Sequence, residues 1–148
     1  MTNQKDFLYS LFTKKEQGKL WILPAITNGD IDVHAERITT WLHPSGHLGY
    51  VIYNDGGNFT GIIFDRTQNK SLNKSDICEW CRCVNSASRI SLFTRKTSDN
   101  RAHGIRLCSD LDCMNSIKNP NPNSIPESLT RDEKIVRYFD NLNKYFKL

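Results

Sequence analysis

An α+β fold is predicted by three features of the 148-residue chain. Apolar residues recur at helical spacing near both ends, at Phe7, Leu8, Leu11 and Phe12 and again at Ile135, Phe139, Leu142 and Phe146. Between them, two strand-like runs are joined by a turn rich in glycine and asparagine. Two cysteine pairs, Cys78 with Cys81 and Cys108 with Cys113, flank a second strand-turn-strand pattern. The expected architecture is a small antiparallel sheet with an N-terminal helix, a four-cysteine finger and a C-terminal helix. Residues 1–75 form its α/β portion and 76–148 the cysteine region with the last helix, in one compact domain overall.

In chain order, Asp6 to Lys19 reads as an amphipathic helix that Gly18 stops. Leu20 to Leu23 is a short apolar segment ended by Pro24. Ile31 to Leu42 alternates at Val33, Ala35 and Trp41, as a strand or bent hairpin would. Leu48 to Tyr53 and Phe59 to Asp65 form a hairpin around Asn54-Asp55-Gly56-Gly57-Asn58, residues that tolerate positive φ. Asn69 to Ser75 is a polar connection. Ile90 to Thr94 is a strand, Thr97 to Gly104 a turn and Ile105 to Leu107 the return strand. Ser109 is placed to cap a helix carrying Asp110 and Asp112 in its first turn, which Asn119-Pro120-Asn121-Pro122 ends near Lys118. Asn119 to Ser128 is the one linker by composition. Thr130 and Glu133 make a capping box, from which the last helix runs to the C-terminus.

The cysteines carry the chemistry. Cys78-Glu79-Trp80-Cys81 is answered 27 residues later by Cys108, with Cys113 five residues beyond it. Four thiolates in two sequence-local pairs suit a tetrahedral zinc ion, and four protein ligands leave no open position, so the metal is structural rather than catalytic. Disulfides are disfavoured because Met1-Thr2-Asn3-Gln4-Lys5 shows no apolar export segment, which points to the cytoplasm. A redox Cys-x-x-Cys would leave Cys108 and Cys113 without a role. Cys83 reads as a free thiol beside the site, with Cys-x4-Cys to Cys78 as its alternative. The order of knuckle, hairpin and second ligand pair is that of a treble-clef zinc finger.

A formal net charge of +4 is mild, but residues 82–106 hold Arg82, Arg89, Arg95, Lys96, Arg101 and Arg106 against the single acid Asp99. The hairpin between the cysteine pairs is therefore a candidate basic face on a rigid mount. No apolar run approaches the ~20 residues of a membrane span. His34, His43, His47 and His103 have no companion nucleophile, and Pro44 and Gly46 place His43 and His47 in a loop. With no phosphate-cradling glycine loop and no paired carboxylates, the sequence does not read as an enzyme.

The Cys78-x-x-Cys81 knuckle, the basic hairpin, Cys108-Ser-Asp-Leu-x-Cys113 and the Glu127-Ser-Leu-Thr-x-x-Glu-Lys-Ile135 helix entry together resemble the C-terminal treble-clef domain of the elongation factor G-binding protein (FBP) family, which includes FusB-type fusidic-acid-resistance proteins. The resemblance implies a non-enzymatic, ribosome-associated protein that binds elongation factor G and promotes its release from the ribosome. It implies zinc ligation by Cys78, Cys81, Cys108 and Cys113, and factor contact through Trp80. The hairpin cations Arg95, Lys96, Arg101 and Arg106 would complete that surface. Longer members carry an additional N-terminal helical bundle, for which this chain is too short. The alternative reading is an RNA- or ribosome-binding zinc module, in which the same cations neutralise phosphates and Trp80 or Phe93 stacks a base.

Overall fold

The computed structural model describes residues 4–68, 75–86, 89–98, 101–120 and 127–147. The expected connection at 69–74, the tip of the hairpin turn at 99–100 and the core of the linker at 121–126 lie outside them. The chain divides into two compact units, Met1–Asp65 and Arg66–Leu148. Among the described residues, no helix is long and apolar enough to cross a membrane.

The first unit holds α1 (Gln4–Ser10), α2 (Lys14–Gln17), α3 (Pro24–Thr27), β1 (Ile38–Leu42), β2 (Leu48–Asp55) and β3 (Asn58–Gln68), whose last residues enter the second unit. The single N-terminal helix expected from periodicity is two helices. Thr13 is the reason: its hydroxyl accepts from the Glu16 amide while the Glu16 carboxylate accepts from the Thr13 amide, a capping box that starts a new helix. Pro24, read as the end of an apolar segment, instead opens α3 at its first position, where its missing N–H costs nothing. The strand expected over residues 31–42 is only β1. Before it, the Asp32 carboxylate accepts from the His34 amide at 3.0 Å and the Asp32 carbonyl from the Ala35 amide at 3.1 Å, forming a turn.

The β2–β3 hairpin pairs Leu48 with Asp65 through to Asp55 with Asn58, leaving Gly56 and Gly57 as its two-residue turn. Their φ values of 59° and 97° are the left-handed conformations such a turn needs. Leu8 of α1, Ile26 of α3, Val33 and Tyr50 of β2 are fully buried. Two buried aromatic side chains tie the layers through polar tips: the Tyr50 hydroxyl donates to the Lys19 carbonyl at 2.6 Å, and Trp41 Nε1 to the Trp21 carbonyl at 2.7 Å.

The second unit contains the β4 (Ser75–Ile77) and β5 (Val84–Ser86) hairpin, the β6 (Ile90–Ser98) and β7 (Arg101–Cys108) hairpin, α4 (Cys113–Lys118) and α5 (Arg131–Phe146). The β6–β7 hairpin is longer than its apolar stretch, because cross-strand pairing continues through polar residues to Ser98 and Arg101. Asp112, not Ser109, caps α4 by accepting from the Asn115 amide at 3.1 Å. The Ser109 hydroxyl is engaged with that of Ser91 at 2.6 Å. Thr130 and Glu133 form the capping box of α5. Tyr138 and Leu142 are the fully buried residues of that helix, and Ile135, Phe139 and Phe146 are half-buried around them.

A methyl group added at Gly61 would lie 2.6 Å from the Phe12 ring, which is itself buried. Gly61→Ala is therefore expected to destabilise the protein by about 1–3 kcal/mol through overpacking, measured by denaturant unfolding. Unchanged stability would mean that the ring moves aside freely.

Candidate metal centre

Two short turns bring the sulfurs together. In the first, the Arg82 amide donates to the Cys78 carbonyl at 2.8 Å, with Arg82 at φ 62°. In the second, the Leu111 amide donates to the Cys108 carbonyl at 2.8 Å, with Leu111 at φ 59°. Each non-glycine residue in the left-handed region costs about 1–2 kcal/mol, which the surrounding structure must offset. The Cys78 amide donates to the Cys83 carbonyl at 3.2 Å, closing the first turn across the base of β4 and β5. Glu79 stitches it to β7: its amide donates to the Arg106 carbonyl at 2.8 Å, and its carboxylate accepts from the Arg106 amide at 2.6 Å.

Cys78, Cys81, Cys108 and Cys113 are all buried, and their sulfurs lie within 4.8 Å of one another. The Cys78–Cys113 and Cys81–Cys108 sulfur distances are 3.7 and 3.6 Å. Four sulfurs at about 2.3 Å from one ion in a tetrahedron stand about 3.8 Å apart, whereas a disulfide requires about 2.05 Å. The spacing is that of ligands around an ion. The Cys81 amide approaches Cys78 Sγ at 3.5 Å, and Ser116 Oγ lies 3.3 Å from Cys108 Sγ, so polar groups from the supporting turns and α4 reach the sulfurs.

Cys78, Cys81 and Cys113 are shifted in opposite directions. Burial opposes charge on Cys78, but hydrogen bonds from Cys108, Cys113 and Cys81 outweigh it and lower its pKa. Cys81 and Cys113 are pushed up, mainly by hydrogen bonding with Cys108 and with burial contributing. A divalent ion replaces the protons that Cys81 and Cys113 would otherwise keep. Cys83 is buried beside Cys81, whose side chain lowers its pKa, but it does not belong to the group of four.

Helix α5 buttresses the first turn in a way that sequence spacing could not reveal. Arg137 Nη2 donates to the Cys81 carbonyl at 3.0 Å, and Asn141 Nδ2 to the Trp80 carbonyl at 2.9 Å. Glu127 holds the Arg137 guanidinium at 2.8 and 3.2 Å, and that pairing lowers the Glu127 pKa. The polar residues Arg137 and Asn141 lie one turn apart beside the apolar stripe, a pattern that in sequence looks like an ordinary solvated flank.

Trp80, through which factor contact is expected, lies buried. It is 2% exposed and packs edge-on against Tyr145, with ring centroids 5.4 Å apart, and at a tilt against Phe146 at 6.1 Å. Its work is to seat α5 on the knuckle. The hairpin cations also do not share one face. Strand alternation places Lys96 and Arg106 on the side of exposed Leu92, and Arg95 and Arg101 on the side of buried Phe93, Ile105 and Leu107. Burial raises the Tyr145 pKa while Arg95 opposes that rise, and Arg106 pairs with Asp76 at 3.6 Å. Lys96 and Arg101 are exposed. Of the histidines, His43 Nδ1 accepts from the Ser45 amide in the β1–β2 loop, His34 Nδ1 lies 3.6 Å from Asp32, and the His103 ring lies 6.4 Å from that of Tyr145.

A model of the FBP C-terminal treble-clef zinc-finger family matches residues 12–148, and the chain belongs to that family. The search of curated proteins finds no match. Among solved structures, the fold is similar to that of the fusidic acid resistance protein FusC, with a TM-score of 0.63 at 19% identity. The match covers 99% of this chain and 58% of FusC, so the chain spans little more than half the length of that protein. The α+β architecture, the treble-clef finger and a cluster suited to one structural zinc are thus established together.

Two outcomes test this centre. Cys108→Ser should lose its zinc by metal analysis, whereas Cys83→Ser should keep one ion per chain. Full occupancy in the former would remove Cys108 from the ligand set. Trp80→Ala should lower unfolding stability by about 3–5 kcal/mol, the cost of deleting a fully buried large aromatic ring. A loss below about 1 kcal/mol would show that the ring does not seat the helix.

Proposed function

We propose that this chain is a non-enzymatic, cytoplasmic protein that binds translation elongation factor G and promotes its release from the ribosome, in the manner of fusidic-acid resistance. Family membership and the likeness to the fusidic acid resistance protein FusC support the reading. The observation that carries it is the mounting of the β6–β7 hairpin. Its return strand ends on Cys108, and Glu79 ties Arg106 to the knuckle, so the exposed side chains of Lys96, Arg101 and Arg106 project from a braced support. Rigid presentation lowers the ordering cost of an interface. Displacing a bound factor requires only differential binding, with no covalent step.

In this reading, Lys96 and Arg106, with Leu92 directly across from Arg106, make the principal contact, Arg101 and Arg95 add to it from the other side of the hairpin, and Trp80 acts from beneath by holding the mount. Calorimetric titration of purified elongation factor G with the zinc-loaded chain should give saturable binding. The double variant Lys96→Ala, Arg101→Ala should weaken it at least about tenfold with zinc retained. No binding by the wild type would contradict the reading. Binding to a ribosomal RNA fragment with a steep salt dependence, and none to the factor, would replace it with nucleic-acid recognition.

A further inference from the structure

Helix α5 buries Tyr138 and Leu142 completely on its inner side, yet Val136 stands on the outer side at 60% exposure, more than any other large hydrophobic residue described. Val136 lines a groove of about 490 Å³ with Leu129, Asp132, Glu133, Asp140 and Lys144. Arg137 also borders it, but Glu127 and the Cys81 carbonyl hold its guanidinium. Three carboxylates are left against Lys144, and among the described residues Asp132 and Asp140 form no ion pair. Asp132, Val136 and Asp140 follow at four-residue intervals and so form one row along the helix. An aliphatic residue exposed between two acids fits a partner surface that has an apolar centre and two cations.

The same chain carries such a surface. On the outer side of the β6–β7 hairpin, Leu92 is 42% exposed directly across from Arg106, and Lys96 projects to that side four residues further on. Lys96 forms no ion pair among the described residues, and Arg106, although it meets Asp76, keeps most of its side chain in solvent. Four strand residues separate the two cations by about 14 Å, and eight helical residues separate Asp132 from Asp140 by about 12 Å, a difference that long side chains span. One copy cannot close this contact on itself. The α5 residue Tyr145 lies beside His103, on the inner side of the hairpin with Ile105 and Leu107, so the strands stand between α5 and the outer cations.

We propose that the occupant of the α5 groove is the outer face of the β6–β7 hairpin from a second copy of this chain. Leu92 packs on Val136, Arg106 pairs with Asp140 and Lys96 with Asp132. The two surfaces differ, so the contact is heterologous and builds open chains or rings rather than a two-fold dimer. One hairpin face on one helix makes a small interface of the transient kind. Because the contact engages the cations proposed to meet elongation factor G, self-association and factor binding exclude each other. Self-association itself does not rest on the factor reading.

Sedimentation equilibrium of the full, zinc-loaded chain, with no factor present, tests the proposal. The weight-average mass should rise with protein concentration past that of a dimer, and the association should weaken as salt is raised. A groove variant, Asp132→Asn with Asp140→Asn, and a hairpin variant, Lys96→Gln with Arg106→Gln, should each self-associate at least about tenfold more weakly. Mixed together, they should form a one-to-one dimer that grows no further, because each supplies the face the other lacks. Val136→Ser, at an exposed position, serves as a second groove variant and should weaken self-association in the same direction. A wild type that stays monomeric at every concentration, a dimer that persists in both variants, or a mixture that does not associate would overturn the assignment. So would binding of oligolysine to the groove by a chain that does not self-associate, since the occupant would then be a foreign cationic segment.

Discussion

The second unit depends on one geometric demand: four sulfurs from two distant turns must stand at tetrahedral spacing around a single point. The chain meets it at a conformational cost, holding Arg82 and Leu111 in the left-handed region with no glycine at either place. Such strain persists only where the surroundings over-determine it. Here the Cys83 carbonyl, the Glu79 bridge to β7 and the α5 side chains of Arg137 and Asn141 all act on the first turn. A small subdomain has little apolar interior of its own, and a metal supplies the convergence that a larger core would otherwise provide.

Because β7 terminates on a member of the cluster, the metal and the hairpin are one mechanical unit. Release of the ion frees one end of the return strand and the turn on which Trp80 sits. The buried faces of Tyr138, Leu142 and Trp80 then lose their common support, so helix docking and metal retention are coupled. That coupling gives the C-terminal helix a reason to close against the knuckle rather than stand apart from it.

Periodicity and spacing made much of this legible. The Gly56-Gly57 turn, the Thr130 capping box and the cysteine pairs are local signals, and each corresponds to a local physical device. Errors arose where a second local signal competed with periodicity: the apolar pattern across residues 6–19 concealed the capping box at Thr13, and Asp112 rather than Ser109 took the cap of α4. The site was readable as a ligand set but not as a surface. A tryptophan beside a cysteine can face solvent or face inward, and only the arrival of α5 from more than fifty residues away decides it, as the Asn141 bond to the Trp80 carbonyl shows. The cations look like one cluster in sequence, yet strand alternation sends Lys96 and Arg106 to one side and Arg95 and Arg101 to the other. Cys83 illustrates the converse: the tighter Cys-x-x-Cys spacing already favoured Cys81, and the structure groups Cys81 with the other three sulfurs.

X-ray absorption at the zinc edge of the purified protein tests the central claim most directly, because it reports ligand type and distance at the ion itself. The account predicts one zinc with four sulfur neighbours at about 2.3 Å and no nitrogen or oxygen in the first shell. A mixed sulfur and light-atom shell, or purified protein whose cysteines are disulfide-bonded and bind no zinc, would contradict it.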